Sequence, residues 1–193
     1  PAALPAQAKT PPNMLVMAKS ISDLITLDPA EVFELTGGEV IGNVYDRVMM
    51  FEAEDLTTLV GGITESHKVS ADGKTITFKI RAGQTFHSGN PVTAEDAEFS
   101  LRRVMYLNKT PAFILTQFGW SKDNVDAHIM ATDSMTLVVK NNSDFSAGLL
   151  LNALSAGVGS VVDKKIVMSH AADGDYGYGW LKNHSAGSGP FSV

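Results

Sequence analysis

The chain has 193 residues, 44% of them hydrophobic and 19% charged, with a formal net charge of −6. That is apolar material for one cored domain or two small ones, and an acidic balance without clustered Lys or Arg argues against a nucleic-acid partner. The lack of cysteine removes disulfides, thiol catalysis and cysteine-ligated zinc, and no apolar run approaches the length of a membrane span.

The N-terminal string "PAALPAQAKTPPN" carries Ala6-Gln7-Ala8, a small-x-small pattern of the kind a signal peptidase cuts after. It fits the tail of a secretory leader or an ordinary Ala/Pro-rich terminus, and under both readings residues 1–12 are expected to be poorly ordered. The apolar run 14–18 predicts a strand buried on both faces. Asp28-Pro29 then breaks regular structure. Residues 32–39, "VFELTGGE", read as a loop leading into a helix over 39–51, with Val40, Val44, Val48 and Phe51 on its inner face.

Residues 65–83 hold a turn pair, Asp72-Gly73, between two strand-like runs. Ile76, Phe78 and Ile80 alternate with polar residues, so a β-hairpin is expected with those three on one face. "HSGNP" (87–91) is turn chemistry. Thr93, three residues before Asp96, marks a capped helix start. Ala97, Leu101, Val104 and Met105 form the buried stripe of that helix. Glu95 and Asp96 lie toward the positive end of its dipole, and Arg102 and Arg103 toward the negative end. Residues 125–141 predict a second strand–turn–strand with its bend at 132–134. Ser143 or Asp144 is the expected cap of a short helix over 145–154. The Gly- and aromatic-rich stretch 171–193 ends on what should be the start of a strand, Phe191-Ser192-Val193.

Chemistry is hard to find in this pattern. His67, His87, His128, His170 and His184 show no metal-site spacing. "SAGSGP" (185–190) lacks the first glycine of a nucleophile elbow, and Pro190 forbids the helix that an elbow demands. Gly37-Gly38 and Gly61-Gly62 lack phosphate-loop spacing. Tyr176, Tyr178 and Trp180 read as anchors for a glycine-rich loop. A hydrolase using His87 with Ser88 or Glu95 is the enzymatic alternative. The residues alone yield an α/β or α+β secreted-type domain without a recognisable catalytic apparatus, cofactor or metal.

Four blocks in order carry a resemblance: "LDP" (27–29), "VYDRVM" (44–49), the long string 63–104 and "SAGSGPF" (185–191). They resemble the peptide/nickel-type (family 5) solute-binding proteins, the extracytoplasmic receptors of bacterial ABC importers. Members of that family carry an E-S-W-x-x-S-x-D-G hairpin, an L-R-x-G-x-x-F-H-D-G turn and a P-V-T-A-E-D helix start. Here His67 stands in place of the usual Trp, Ser88 in place of Asp, and "VGGI" (60–63) in place of Pro-x-Leu-Ala. The resemblance implies an α/β, type II periplasmic-binding fold, of which this chain would be the N-terminal portion. Residues 13–43 and 172–193 would be pieces of the first lobe and 44–171 the additional mixed α+β subdomain, with the second lobe absent.

It also implies a periplasmic, monomeric, non-enzymatic receptor without a cofactor, working with a membrane permease on a di- or oligopeptide, the family alternatives being nickel chelates, opines, sugars or haem. The loop after L-D-P lines the cleft in such proteins. Carried over, that gives Phe33, Glu34, Leu35 and Thr36 as ligand-binding residues, with Phe113 near the same cleft.

Overall fold

The alternation along "TITFKI" builds the centre of the molecule. In the computed structural model, which describes residues 11–193, this run is strand β4, Thr75–Ile80, with Ile76, Phe78 and Ile80 buried. The labels follow chain order: helix α1 (Leu35–Val44), strands β1 (Met49–Phe51), β2 (Leu59–Gly61) and β3 (Thr64–Val69), then β4 and helix α2 (Ala94–Leu107). Short helices α3 (Phe113–Thr116) and α4 (Val125–His128), strands β5 (Ile129–Asp133) and β6 (Thr136–Lys140), and helices α5 (Ala147–Ala153), α6 (Lys164–Ser169) and α7 (Tyr178–Leu181) complete the set.

Both expected hairpins form. β3 pairs antiparallel with β4, and β5 with β6. A β4–β6 pairing then joins them into one antiparallel sheet of order β3-β4-β6-β5. One face carries Ile76, Phe78, Ile80, Leu137 and Val139, which pack with Ala97, Leu101, Val104 and Met105 of α2 in the main core. The helix begins as its sequence requires: Asp96 accepts from the Thr93 amide at 3.0 Å and from its hydroxyl at 2.6 Å, closing a capping box. It ends at Asn108, whose left-handed backbone (φ 46°) terminates the helix as glycine or asparagine does. A smaller core gathers Val32, Ile41, Val44, Tyr45, Val162, Val167, Leu181 and Ala186.

Four local expectations are corrected. Residues 14–18 form no strand and are exposed; an apolar run needs pairing strands on its flanks to be buried on both faces, and it has none among the described residues. The first helix is Leu35–Val44 rather than 39–51, and Met49–Phe51 is a strand on Leu59–Gly61. The Asp23 carboxylate, accepting the Thr36 amide at 3.2 Å, supplies the early start with a cap from a distant part of the sequence. Helix α5 is capped by Ser146, whose hydroxyl accepts from the Leu149 amide at 3.2 Å; Ser143 is already bonded to Asn141. Residues 191–193 are not a strand; the Phe191 amide donates instead to the Asn43 carbonyl at the end of α1. The Ala6-Gln7-Ala8 pattern lies outside the described residues, as does most of the stretch 1–12.

Arg102 and Arg103 also do something other than compensate the helix dipole. Arg102 pairs with Glu98 at 2.7 Å and donates to the Ile129 carbonyl of β5 at 2.8 Å. Arg103 is 1% exposed and forms a two-pronged ion pair with Asp28, which is wholly buried. Its Nε also reaches the Tyr176 carbonyl at 2.7 Å.

Candidate ligand-binding site

The buried ion pair fixes how the chain enters the site. Asp28 accepts the Ala30 amide at 2.9 Å as well as the Arg103 guanidinium, so the turn at 28–32 hangs from the middle of α2. Val32 then packs against Gly37, where an added Cβ would lie 2.8 Å from a Val32 methyl. That contact holds the next three residues at the surface. Phe33 is 57% exposed and Leu35, the first residue of α1, is 91% exposed. Glu34 turns its carboxylate back to accept the Phe33 amide at 3.1 Å. Thr36 is buried, and its hydroxyl and amide hold the Asp23 carboxyl below the usual range.

Phe113 arrives from another direction. Pro111 sits in a single tight turn over Thr110–Ala112 and is followed by α3, where Ala112 and Leu115 are buried while Phe113 is 57% exposed. The structure brings this ring onto Phe33 edge-to-face, with centroids 5.6 Å apart and planes at 83°. Two segments far apart in sequence thus meet in an exposed aromatic corner.

His87 and Ser88 are separated into scaffold roles. The His87 amide donates to the Gly187 carbonyl at 2.9 Å, and its Nε2 lies 2.8 Å from the Gly189 carbonyl oxygen. Ser88 donates to Asp163 at 2.5 Å, and Asn90 donates to the same oxygen at 2.8 Å. Asp163 also caps α6 by accepting the Ile166 amide at 3.1 Å. Burial lifts the Asp96 carboxyl above its ordinary range, against the hydrogen bonds from Thr93 and the Lys164 amide. Among the described residues, no three His, Asp or Glu side chains converge as a metal site would.

The aromatic-rich loop 171–181 is held by Asp175, which accepts the amides of Ala172, Gly177 and Gly179 at 2.8–3.0 Å. Burial pushes this carboxyl up, but the three amide donors outweigh it and hold it below the ordinary value. The stabilisation is therefore complete above the unfolded-state pKa near 4 and fades as pH falls through the lower folded value. Asp175→Ala is expected to accelerate hydrogen exchange at those three amides at pH 7. In the parent chain, acidification below about pH 4 should bring on the same loss.

Sequence reasoning missed the Asp28–Arg103 pair and the role of Asp163. A signal for the first was present: Arg103 follows Ser100 by three positions on the inward face of α2, and a charge there requires a buried counter-charge.

The family model described as "Bacterial extracellular solute-binding proteins, family 5 Middle" matches residues 58–193. The chain belongs to this family. As a family 5 solute-binding protein, it is 30% identical over 191 residues to the probable D,D-dipeptide-binding periplasmic protein DdpA of Escherichia coli K12. The match takes in 97% of this chain and 34% of that one. In fold it is similar to the Helicobacter pylori periplasmic binding protein DppA, solved with the peptide STSA, at a TM-score of 0.71 and 23% identity over 86% of this chain and 34% of that one. It is also similar to MoaA of A. tumefaciens R10, solved with mannopinic acid, at a TM-score of 0.69 and 22% identity over 88% of this chain and 32% of that one. The chain thus spans about a third of the length of these relatives. Its fold is the N-terminal portion of a type II periplasmic-binding protein of α/β class, and the family is extracytoplasmic.

Proposed function

We propose that this chain is the first part of a periplasmic receptor, exported by a cleaved leader, that captures di- or oligopeptides and delivers them to the membrane permease of an ABC importer. It works as a monomer and catalyses nothing. The observation that carries the reading is the meeting of Phe33 with Phe113, since these are the two segments that family resemblance assigns to the cleft. Phe33, Glu34, Leu35, Thr36 and Phe113 form one wall of it. In the smaller core, Val32, Ile41, Leu181 and Ala186 of the first-lobe pieces 13–43 and 172–193 meet Val44, Tyr45, Val162 and Val167 of the additional subdomain 44–171, to which the sheet and α2 also belong. Peptide main-chain groups are held much as an added strand is held, while bridging waters accommodate varied side chains at small cost. The MoaA likeness favours one second reading, in which the ligand is a small non-peptide solute.

Mass spectrometry of ligand co-purified with the full-length protein, followed by calorimetry, tests this. Peptides binding with roughly micromolar affinity or better are the expected result, with the 193-residue chain alone binding far more weakly because half of the cleft is missing. Sub-micromolar peptide binding by this chain alone would overturn the two-lobed mechanism, and a co-purified sugar or chelate would overturn the peptide class. His87→Ala separates scaffold from catalysis. Loss of its link to Gly189 should cost about 1 kcal/mol of stability, with no turnover to lose, whereas a hydrolase would lose turnover at unchanged stability.

A further inference from the structure

A small cavity lies beside the buried ion pair. Its volume is about 10 Å³, and its wall is made by Pro29 and Ala30 of the L-D-P turn, Ser100 and Arg103 of α2, Ser160, and three valines. All of these residues are buried. Three segments far apart in sequence therefore face one another across a gap the size of a single water molecule.

Two polar groups on that wall have bonding capacity to spare. Ser160 is 3% exposed, and its hydroxyl oxygen has no hydrogen-bond partner among the described residues. A buried hydroxyl left in that condition is costly, which is why such groups are almost always bonded, to protein or to ordered water. A guanidinium carries five N–H groups. Arg103 uses three of them, on the Tyr176 carbonyl and the two Asp28 oxygens, which leaves one N–H on Nη1 and one on Nη2. Ser100 is closer to saturation: its hydroxyl donates to the Asp96 carbonyl at 2.7 Å and accepts the Val162 amide at 2.9 Å.

Size and charge select the occupant. The volume admits nothing larger than one water. The guanidinium on the wall repels a metal cation, and Asp28 already balances its charge, so an anion would find no excess positive charge to offset its desolvation. Water has the matching chemistry, accepting from an Arg103 N–H while donating to Ser160 Oγ.

We infer that this cavity is the binding site of a single structural water, which joins Ser160 to the Arg103–Asp28 pair and so ties the segment around Ser160 to both α2 and the L-D-P turn. The site is independent of the receptor reading and holds whatever solute the protein captures.

Crystals of the full-length protein test it directly. High-resolution maps should show a spherical peak within hydrogen-bonding distance of Ser160 Oγ and the Arg103 guanidinium, and a bromide soak should leave that peak without anomalous signal. Ser160→Ala removes one partner of the water and should raise the unfolding equilibrium constant in urea roughly threefold to tenfold. In a dry cavity the same change would delete an unsatisfied hydroxyl and lower that constant, so the two cases differ in sign. The absence of a peak, a bromide signal at the site, or a Ser160→Ala variant at least as stable as the parent overturns the inference.

Discussion

Replacing Arg103 with methionine is expected to destabilise the protein by about 3–5 kcal/mol, because it leaves the buried Asp28 carboxyl without its partner. In a domain of this size that is a fall of roughly 6–20 °C in melting temperature. The guanidinium meets the two Asp28 oxygens at 2.7 and 2.5 Å and the Tyr176 carbonyl at 2.7 Å. One side chain thus ties the L-D-P turn and the glycine-rich loop to α2. The double variant Asp28→Asn/Arg103→Met removes both charges while keeping an acceptor for the Ala30 amide. It should recover at least half of the loss, so the pair is coupled by at least about 2 kcal/mol in a double-mutant cycle once the cost of Asp28→Asn alone is counted. Urea denaturation of all four proteins gives that number. A single variant within about 1 kcal/mol of the parent would contradict the account.

The second large effect is at Gly187. A Cβ built there would lie 2.0 Å from the Val44 carbonyl oxygen and 2.9 Å from its carbon, and neither is the end of a flexible side chain. Gly187→Ala should therefore force the 185–191 segment off the end of α1, costing about 3 kcal/mol, the upper end for overpacking. Because the Gly187 carbonyl accepts the His87 amide, that amide should lose hydrogen-exchange protection at the same time. Gly38→Ala is the contrasting control: it lies inside α1 with nothing within 4 Å of the new methyl, and should stabilise by roughly 0.5–1 kcal/mol. Urea midpoints moving in opposite directions for the two variants are the expected outcome.

Local pattern made part of this molecule readable. The period-two runs around Asp72-Gly73 and 132–134 specify their own partners, so both hairpins and the face that α2 covers follow from the residues. The Thr93–Asp96 cap is likewise local. What failed was whatever depends on a distant neighbour. The 14–18 run is as apolar as a buried strand, but apolarity does not say what will cover it. The start of α1 is stabilised by Asp23, outside any window in which a cap is normally sought. Asp28, read only as a breaker before proline, is the buried half of an ion pair. At the site, the residues near 33 and 113 came from family resemblance; their contact is tertiary and has no trace in spacing.

The order β3-β4-β6-β5 also has a kinetic consequence. Each hairpin closes over a short turn, an event of about 1–10 μs. The β4–β6 seam, by contrast, joins Thr75–Ile80 to Thr136–Lys140, so it must wait for a long intervening loop to close against its entropy. Helix α2 lies within that loop and packs on β5 and β6, so its docking shortens the search for the seam. Substitutions in the buried stripe at Leu101 or Val104 should accordingly slow folding, while substitutions on the outer edge at β3 should chiefly speed unfolding.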